Sequence, residues 1–437
     1  MEKKWKRVKI LIISGTVVLV TTTVGIAFSG KIREKINKKG WFANKNQLQA
    51  IVEQDNSGTE IAEQSDQENN DMAVQDSSVS TQAVDTSNWD LTKVDIVYDT
   101  ANVAVPVPKG YVASGADGEH TVNTGFVIYE GDTAVTTANA LDESCKRNQW
   151  VWVPVPDVSR IYEIDANGKK KSKLYEYSST GRTEYTNDNY EPGVAFGHSK
   201  WNPEISFDTE NFFSEYQLQG MTREKFLHEM QEEFDFTIES IKKYGGFYIG
   251  RYEIGNLSEK VLVVQRLNTD INTEYQSWYS EYSKLQRLGA NGNVKSNMIL
   301  GCLWDETLQW LIDSGNKTNE DMIDSTSWGN YSNSSFDYIY SIKNGNAEKI
   351  YKPENRSQIM ATGGTEYSKA NNIYDLAGNV WEMTLEVNVS GARVIRSGVY
   401  WRGGAYKTMS CRYWDGYEKT PDSGSEYIGA RAYLYIK

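Results

Sequence analysis

Apolar positions recur at helical spacing in three stretches of the chain and at alternating spacing in several others. Over 222–245, Phe226, Met230 and Phe234 fall at i, i+4 and i+8, with Thr222 as N-cap, Lys242 and Lys243 near the end and Gly245 as stop. That pattern predicts a helix. A second helix is predicted over 274–289, again ended by a glycine, and a short amphipathic one over 299–315 with Leu303, Leu308 and Leu311 on its inner side. Residues 94–114 and 125–131 alternate and carry turn residues, so they read as strands, as does the β-prone stretch 148–156 closed by Pro154 and Pro156. Between 315 and 350 the chain is rich in Asn, Ser and Asp and reads as a long loop, of the kind that binds something or orders around an ion. The last 60 or so residues read as short strands broken by Gly-rich turns. Helices interrupt the strands instead of alternating with them, which predicts a mixed α+β domain and argues against a doubly wound sheet.

The first 88 residues follow different rules. A basic flank, 1–9, precedes an uncharged apolar stretch, 10–29, that is just long enough to span a bilayer as a helix. It predicts a transmembrane anchor. A cleaved signal is the competing reading, since Ala27 and Ser29 are small residues before Gly30. Lys and Arg lie on both flanks, so charge does not orient the segment. A polar linker follows over 30–88. From 43 to 88 it has no aromatic residue, and nine acids stand against one Lys. Such a stretch stays solvated, with a reach of about 40 Å. The folded domain is expected over 89–437, as an extracytoplasmic head on a single-pass membrane protein, or a secreted one if the anchor is removed.

Many of the 28 Tyr and 13 Trp belong to the core, and so many also suit an amphipathic contact surface that is cheap to order. A formal charge of −13 argues against nucleic acid as a partner. Cys145, Cys302 and Cys411 form neither a metal pattern nor a disulfide framework.

The stretch NIYDLAGNVWEM, 372–383, sets two carboxylates, Asp375 and Glu382, around Gly378 and Asn379. Carboxylates and carbonyls about a tight turn are ligands that Ca²⁺ takes. The same residues also fit an Asp-capped turn with a solvated Glu and a core Trp. Together with YWRGGAY (400–406) and TPDSGSEYIGARAYLYIK (420–437), this stretch resembles the sulfatase-modifying-factor family, the formylglycine-generating enzyme and its relatives. GGFYIGRYEI (245–254) is similar to the strand in which that family carries a Tyr-Glu pair. The resemblance implies an elaborated C-type-lectin fold: a small, mainly antiparallel sheet, flanking helices and long ordered loops. It implies a calcium site formed by the Asp375 and Glu382 side chains and the Gly378 and Val380 carbonyls, with Trp381 turned into the core. Arg402 and Arg431 are expected to pair with buried carbonyls or an acid.

The oxidase of that family uses two cysteines to bind copper, and here Cys411 stands alone in 407–419. The three histidines (His120, His198, His228) lack a paired spacing for iron. Copper and iron are therefore not expected, and Cys411 reads as an ordinary small residue. What remains is a surface: Tyr413, Trp414, Asp415 and Tyr417 cluster about Gly416 as a recognition loop, or alternatively as a Tyr-rich lid over the core. The sequence thus points to a bacterial-type, membrane-tethered or secreted binding protein with a protein or glycan ligand. A working metal-dependent oxidase and a structural envelope or phage-derived component are the alternatives.

Overall fold

The computed structural model describes residues 10–13, 16–19, 85–185, 193–194, 223–257, 260–262, 278–289, 291–343, 346–387, 393–406, 408–414 and 427–437. The chain divides into two compact units, Met1–Asp76 and Ser77–Lys437. In the first unit, Ile10–Ile13 and Thr16–Leu19 pair as a short antiparallel ribbon, within a stretch whose Ile, Val and Thr favour extended backbone. The rest of the predicted anchor and linker lies outside the described residues. No described helix is long and apolar enough to cross a membrane.

The second unit is a mixed α+β fold, mostly sheet with few helices. In chain order the strands of its two larger sheets are β1 (Tyr111–Gly115), β2 (Val127–Glu130), β3 (Val135–Thr136), β4 (Gln149–Pro154), β5 (Gly193–Val194), β6 (Gly246–Gly250), β7 (Val294–Met298), β8 (Trp381–Val387), β9 (Arg393–Arg396), β10 (Tyr413–Trp414), β11 (Ile428–Ala430) and β12 (Ala432–Ile436). The seven-stranded sheet has the order β7-β12-β6-β4-β2-β1-β3. It is antiparallel throughout except for β1 beside β3. The five-stranded sheet runs β5-β8-β9-β10, with β11 pairing β8 in parallel. The helices are α1 (Ala140–Ser144), α2 (Arg223–Tyr244), α3 (Trp278–Leu285), α4 (Gly301–Asp313) and α5 (Asn319–Ile323).

α2 buries Met230, Phe234, Ile238 and Ile241 on one stripe, the spacing an amphipathic helix uses to cover a sheet. It packs on β6 and β12. α4 buries Leu303, Leu308 and Leu311 as predicted, together with Cys302, Trp304 and two charged residues, Asp305 and Glu306. Those carboxylates are paired. Asp305 accepts from Arg396 at 2.8 Å and from Arg412, while Arg412 also reaches Glu386 at 2.6 Å. This neutral four-charge cluster ties α4, β8, β9 and the 408–414 segment into one core, since a buried charge is tolerated only when paired.

The 315–350 stretch departs from its predicted loop. It holds α5 and most of an antiparallel hairpin, Phe336–Lys343 with Asn346–Lys352. The sequence FDYIYSIK followed by Asn344-Gly345 carries both the alternation and the turn dipeptide of a hairpin.

Candidate functional site

The 372–383 stretch forms a buried clasp. Asn371, Asn372, Asp375, Gly378 and Asn379 all have positive φ, between 42° and 76°. Asn, Asp and Gly are the residues that tolerate this left-handed conformation, so the sequence is matched to a tightly coiled path. Gly378 also faces backbone: a Cβ there would lie 2.4 Å from the Asn330 carbonyl oxygen. Asn330 donates its N–H to the Ala377 carbonyl (3.1 Å), and its own carbonyl accepts from Asn379 N–H (2.9 Å). The clasp therefore holds the 325–334 loop from behind.

Its carboxylates are fully engaged. Asp375 accepts from Ser368 Oγ (2.6 Å), Gly363 N–H (2.7 Å) and Thr362 Oγ1 (3.1 Å). The parallel register of β8 and β11 brings Glu382 beside Gly429. Glu382 there accepts from Arg431 Nη2 at 2.6 Å and Nε at 2.9 Å. Arg431 also caps the Gly250 and Tyr374 carbonyls (3.0 and 2.9 Å), so its structural role is as predicted. The Gly378 carbonyl accepts from Ser397 Oγ at 2.8 Å. Glu253, just after β6, accepts from Asn379 Nδ2 (2.7 Å) and Val380 N–H (3.4 Å).

Three buried carboxylates thus share one guanidinium. Burial, reinforced by Asp375 and Glu382, pushes the Glu253 carboxyl well above the ordinary range. Burial also raises Asp375 and Glu382; Ser368 is the leading opposing influence on the first and Arg431 on the second. A cation at Asp375, Gly378, Val380 and Glu382 would have to take the place of Arg431 at Glu382 and of Ser397 at Gly378. Among the described residues no group of three or more His, Cys, Asp or Glu side chains is placed to hold a metal ion.

The loop held by the clasp forms an open concavity of about 460 Å³. Glu320 and Asp321 of α5, Asp324, and Glu354 beyond the hairpin supply four carboxylates, and among the described residues no basic side chain lines it. Asn333, Ser334 and Tyr367 add an amide and hydroxyls. Tyr367 is fixed: its ring stacks on Phe336 at 4.7 Å, and its hydroxyl donates to the Thr326 carbonyl at 2.7 Å. These residues are far apart in sequence. The acid-rich 315–350 stretch was the one signal that pointed here.

An aromatic ledge adjoins the concavity. Arg402 lies 4.1 Å over the ring of Trp401, and Tyr406 beside it is 69% exposed. The Arg402 carbonyl accepts from Ser332 N–H (2.9 Å), and Gly404 N–H donates to Asn333 Oδ1 (3.2 Å). Arg402 departs from the expected pairing with buried carbonyls or an acid: it is exposed with its guanidinium stacked on Trp401, while its carbonyl and its N–H, which donates to the Val399 carbonyl, are used within the fold. Trp381 is buried, as predicted, and the half-buried Tyr413 stacks on it at 5.1 Å. Tyr413 therefore helps close the core. Trp414 lies on β10, and Asp415 and Tyr417 lie outside the described residues. Cys411 is half-buried and Cys302 buried, both with free thiols.

Comparison with protein-family models, with curated proteins and with solved structures returns no match for this chain.

Proposed function

We propose that this chain is a ligand-recognition protein whose folded unit engages a partner presenting basic groups. One observation carries the reading: among the described residues four carboxylates and no basic side chain line one concavity, and an aromatic ledge with Tyr406 exposed adjoins it. Carboxylates so grouped attract a cationic partner and steer its approach. An exposed Tyr406 beside the half-buried Trp401 supplies aromatic contact area that costs little entropy to order. The support is rigid because the clasp pins the loop that carries these groups. The resemblance to the sulfatase-modifying-factor family, and with it a C-type-lectin-like scaffold, fits this use of loops on a fixed frame. Residues 10–29 would tether the unit to a membrane, with the C-terminal residues Trp414, Asp415 and Tyr417 enlarging the contact surface. Calcium at the clasp belongs to the same family reading. Its mark is a melting temperature higher in Ca²⁺ than in chelator, a difference that Asp375→Ala removes.

The test uses the full chain in detergent micelles, titrated by calorimetry with a lysine-rich nonapeptide and, separately, with neutral oligosaccharides. The peptide should bind, more weakly as salt rises. Asp324→Asn with Glu354→Gln removes two of the four charges. At about 0.5–1 kcal/mol each this should weaken binding about 5- to 30-fold. Absence of peptide binding, or binding that ignores the double variant, overturns the reading. Binding of an oligosaccharide instead would make the ligand a glycan.

A further inference from the structure

Lys352 closes the second strand of the 336–352 hairpin and is fully buried. Its Nζ donates to the Tyr331 carbonyl and to the Ser334 carbonyl, both at 2.7 Å, and lies 5.2 Å from the centre of the Phe336 ring. Among the described residues no carboxylate pairs with it. A buried lysine without an acid is unusual, because an ammonium loses its hydration on burial and ordinarily regains it through an opposite charge. Here two backbone carbonyls and an aromatic face stand in for that charge, the surroundings in which a protein holds a small metal cation.

The two carbonyls bracket one turn. Tyr331 N–H donates to Ser334 Oγ (2.9 Å), and the Tyr331 carbonyl also accepts from Ser334 N–H (3.2 Å) and Ser334 Oγ (2.9 Å). Within the turn, Ser332 N–H reaches the Arg402 carbonyl and Asn333 Oδ1 receives Gly404 N–H. Ser334 and Asn333 line the acidic concavity. This turn is thus the joint between concavity and ledge, and the ammonium is its only charged fastening among the described residues.

We infer that the Lys352 ammonium is a tethered cation that sets the 331–334 turn, and through it the relative placement of the acidic concavity and the aromatic ledge. It is a positioning residue for the proposed recognition face, and its consequence for binding rests on that reading. Burial, together with repulsion from Arg356, lowers its pKa to about 8, so the amine remains largely charged at neutral pH. A covalently attached cation cannot be removed by a chelator and is present at unit occupancy whatever the surrounding ion concentrations.

Hydrogen exchange followed by mass spectrometry on the full chain in micelles tests this without any ligand. In Lys352→Met the hydrocarbon stem is kept and the charge lost. Amides in 331–334 and 402–404 should exchange at least about tenfold faster, the effect of losing a charge-assisted bond, while the melting temperature holds or rises. In Lys352→Ala, propylammonium should slow that exchange again, and propanol of the same size should not. Unchanged exchange in Lys352→Met overturns the inference. So does equal rescue by propanol, which would make the side chain a space-filler, or faster exchange across the whole unit with a fall in melting temperature, which would make it a general packing residue. If exchange behaves as expected while the wild-type chain ignores the lysine-rich nonapeptide, the recognition reading falls and the tethered cation stands.

Discussion

Replacing Arg431 by methionine should cost the fold about 3–5 kcal/mol at pH 7, and the cost should shrink as the solution is made acid. Arg431 is fully buried and is the guanidinium paired with Glu382, beside Asp375 and Glu253. Methionine fills much of the same space without charge, leaving Glu382 ionised and unpaired in the core. The carboxyl can escape only by taking up a proton. From an ordinary glutamate pKa near 4.3 that costs about 1.4 kcal/mol per pH unit, or about 3.5 kcal/mol at pH 7. The Gly250 and Tyr374 carbonyls also lose a donor each, which adds about 1 kcal/mol or more. The sign follows from linkage. Without Arg431, Glu382 titrates higher in the folded state than in the unfolded one, so the variant is least penalised below pH 4.3 and loses ground as pH rises. The gap between wild type and variant should therefore fall to about 1–2 kcal/mol at pH 5. Glu382→Gln should cost less than Arg431→Met, because Glu253 and Asp375 remain near enough to act on the guanidinium. Urea unfolding of wild type and both variants at pH 5 and 7 measures these quantities. A loss below about 1 kcal/mol at pH 7, or an equal gap at both pH values, would refute the argument that Arg431 neutralises the clasp.

Four further outcomes follow from the same geometry. Burial, with Asp375 and Glu382 beside it, raises the Glu253 carboxyl above its unfolded value, so the stability contributed by this group is greatest at acid pH and falls as pH rises; Glu253→Gln should therefore gain on wild type in urea between pH 4.5 and pH 7. Lys352 has the opposite sign: its folded pKa of about 8 lies below the unfolded value, so stability should rise between pH 8 and 10 in wild type and not in Lys352→Met, as unfolding midpoints across that range would show. A Cβ on Gly404 would lie 2.5 Å from Thr326 N and Oγ1; Gly404→Ala should cost about 1–3 kcal/mol and quicken exchange in 331–334 without weakening the clasp. Deleting residues 1–29 should move the chain from the membrane fraction to the supernatant on ultracentrifugation, and retention in the membrane fraction would refute the tether.

What could be read from the sequence was whatever is local and periodic. α2 and α4 were legible because their apolar residues repeat every three to four positions and glycines follow their ends. The clasp was legible as a turn because Asn, Asp and Gly occupy the positions where the backbone is left-handed. The 336–352 hairpin was missed despite its alternation and its Asn-Gly pair, because the surrounding Asn, Ser and Asp gave the whole stretch the composition of a loop. Pairings between distant residues were not legible at all. Nothing near Glu382 in sequence announces that Arg431 will neutralise it, and Glu320, Asp321, Asp324 and Glu354 become one acidic wall only when the fold brings α5 and the segment after the hairpin to one concavity. Tyr413 misled for a related reason. An aromatic residue beside a Gly reads as displayed, whereas pairing of β10 with β9 lays it against Trp381.

The two buried charge clusters divide the work of holding this fold. Asp305, Glu386, Arg396 and Arg412 balance two against two, so the cluster is electrically closed and acts as a fixed joint between α4 and the five-stranded sheet. The clasp has three carboxylates against one guanidinium and meets that imbalance with hydrogen bonds: Arg431 on Glu382, N–H and O–H donors around Asp375, and the Asn379 and Val380 N–H groups on Glu253. A cluster balanced by hydrogen bonds depends on precise backbone placement, and its left-handed path and the close approach of Gly378 to Asn330 supply that placement. The same dependence makes the clasp a good back-plate for a binding loop: any movement of the 325–334 segment would break the Asn330 contacts to Ala377, Asn379 and the Gln358 carbonyl together. In front of that plate, among the described residues, the Lys352 ammonium is the one charged group in a joint otherwise made of neutral hydrogen bonds, Ser332 N–H to the Arg402 carbonyl and Gly404 N–H to Asn333 Oδ1. The concavity and the ledge are thus fixed from both sides, by the clasp behind and by the Lys352 joint in front.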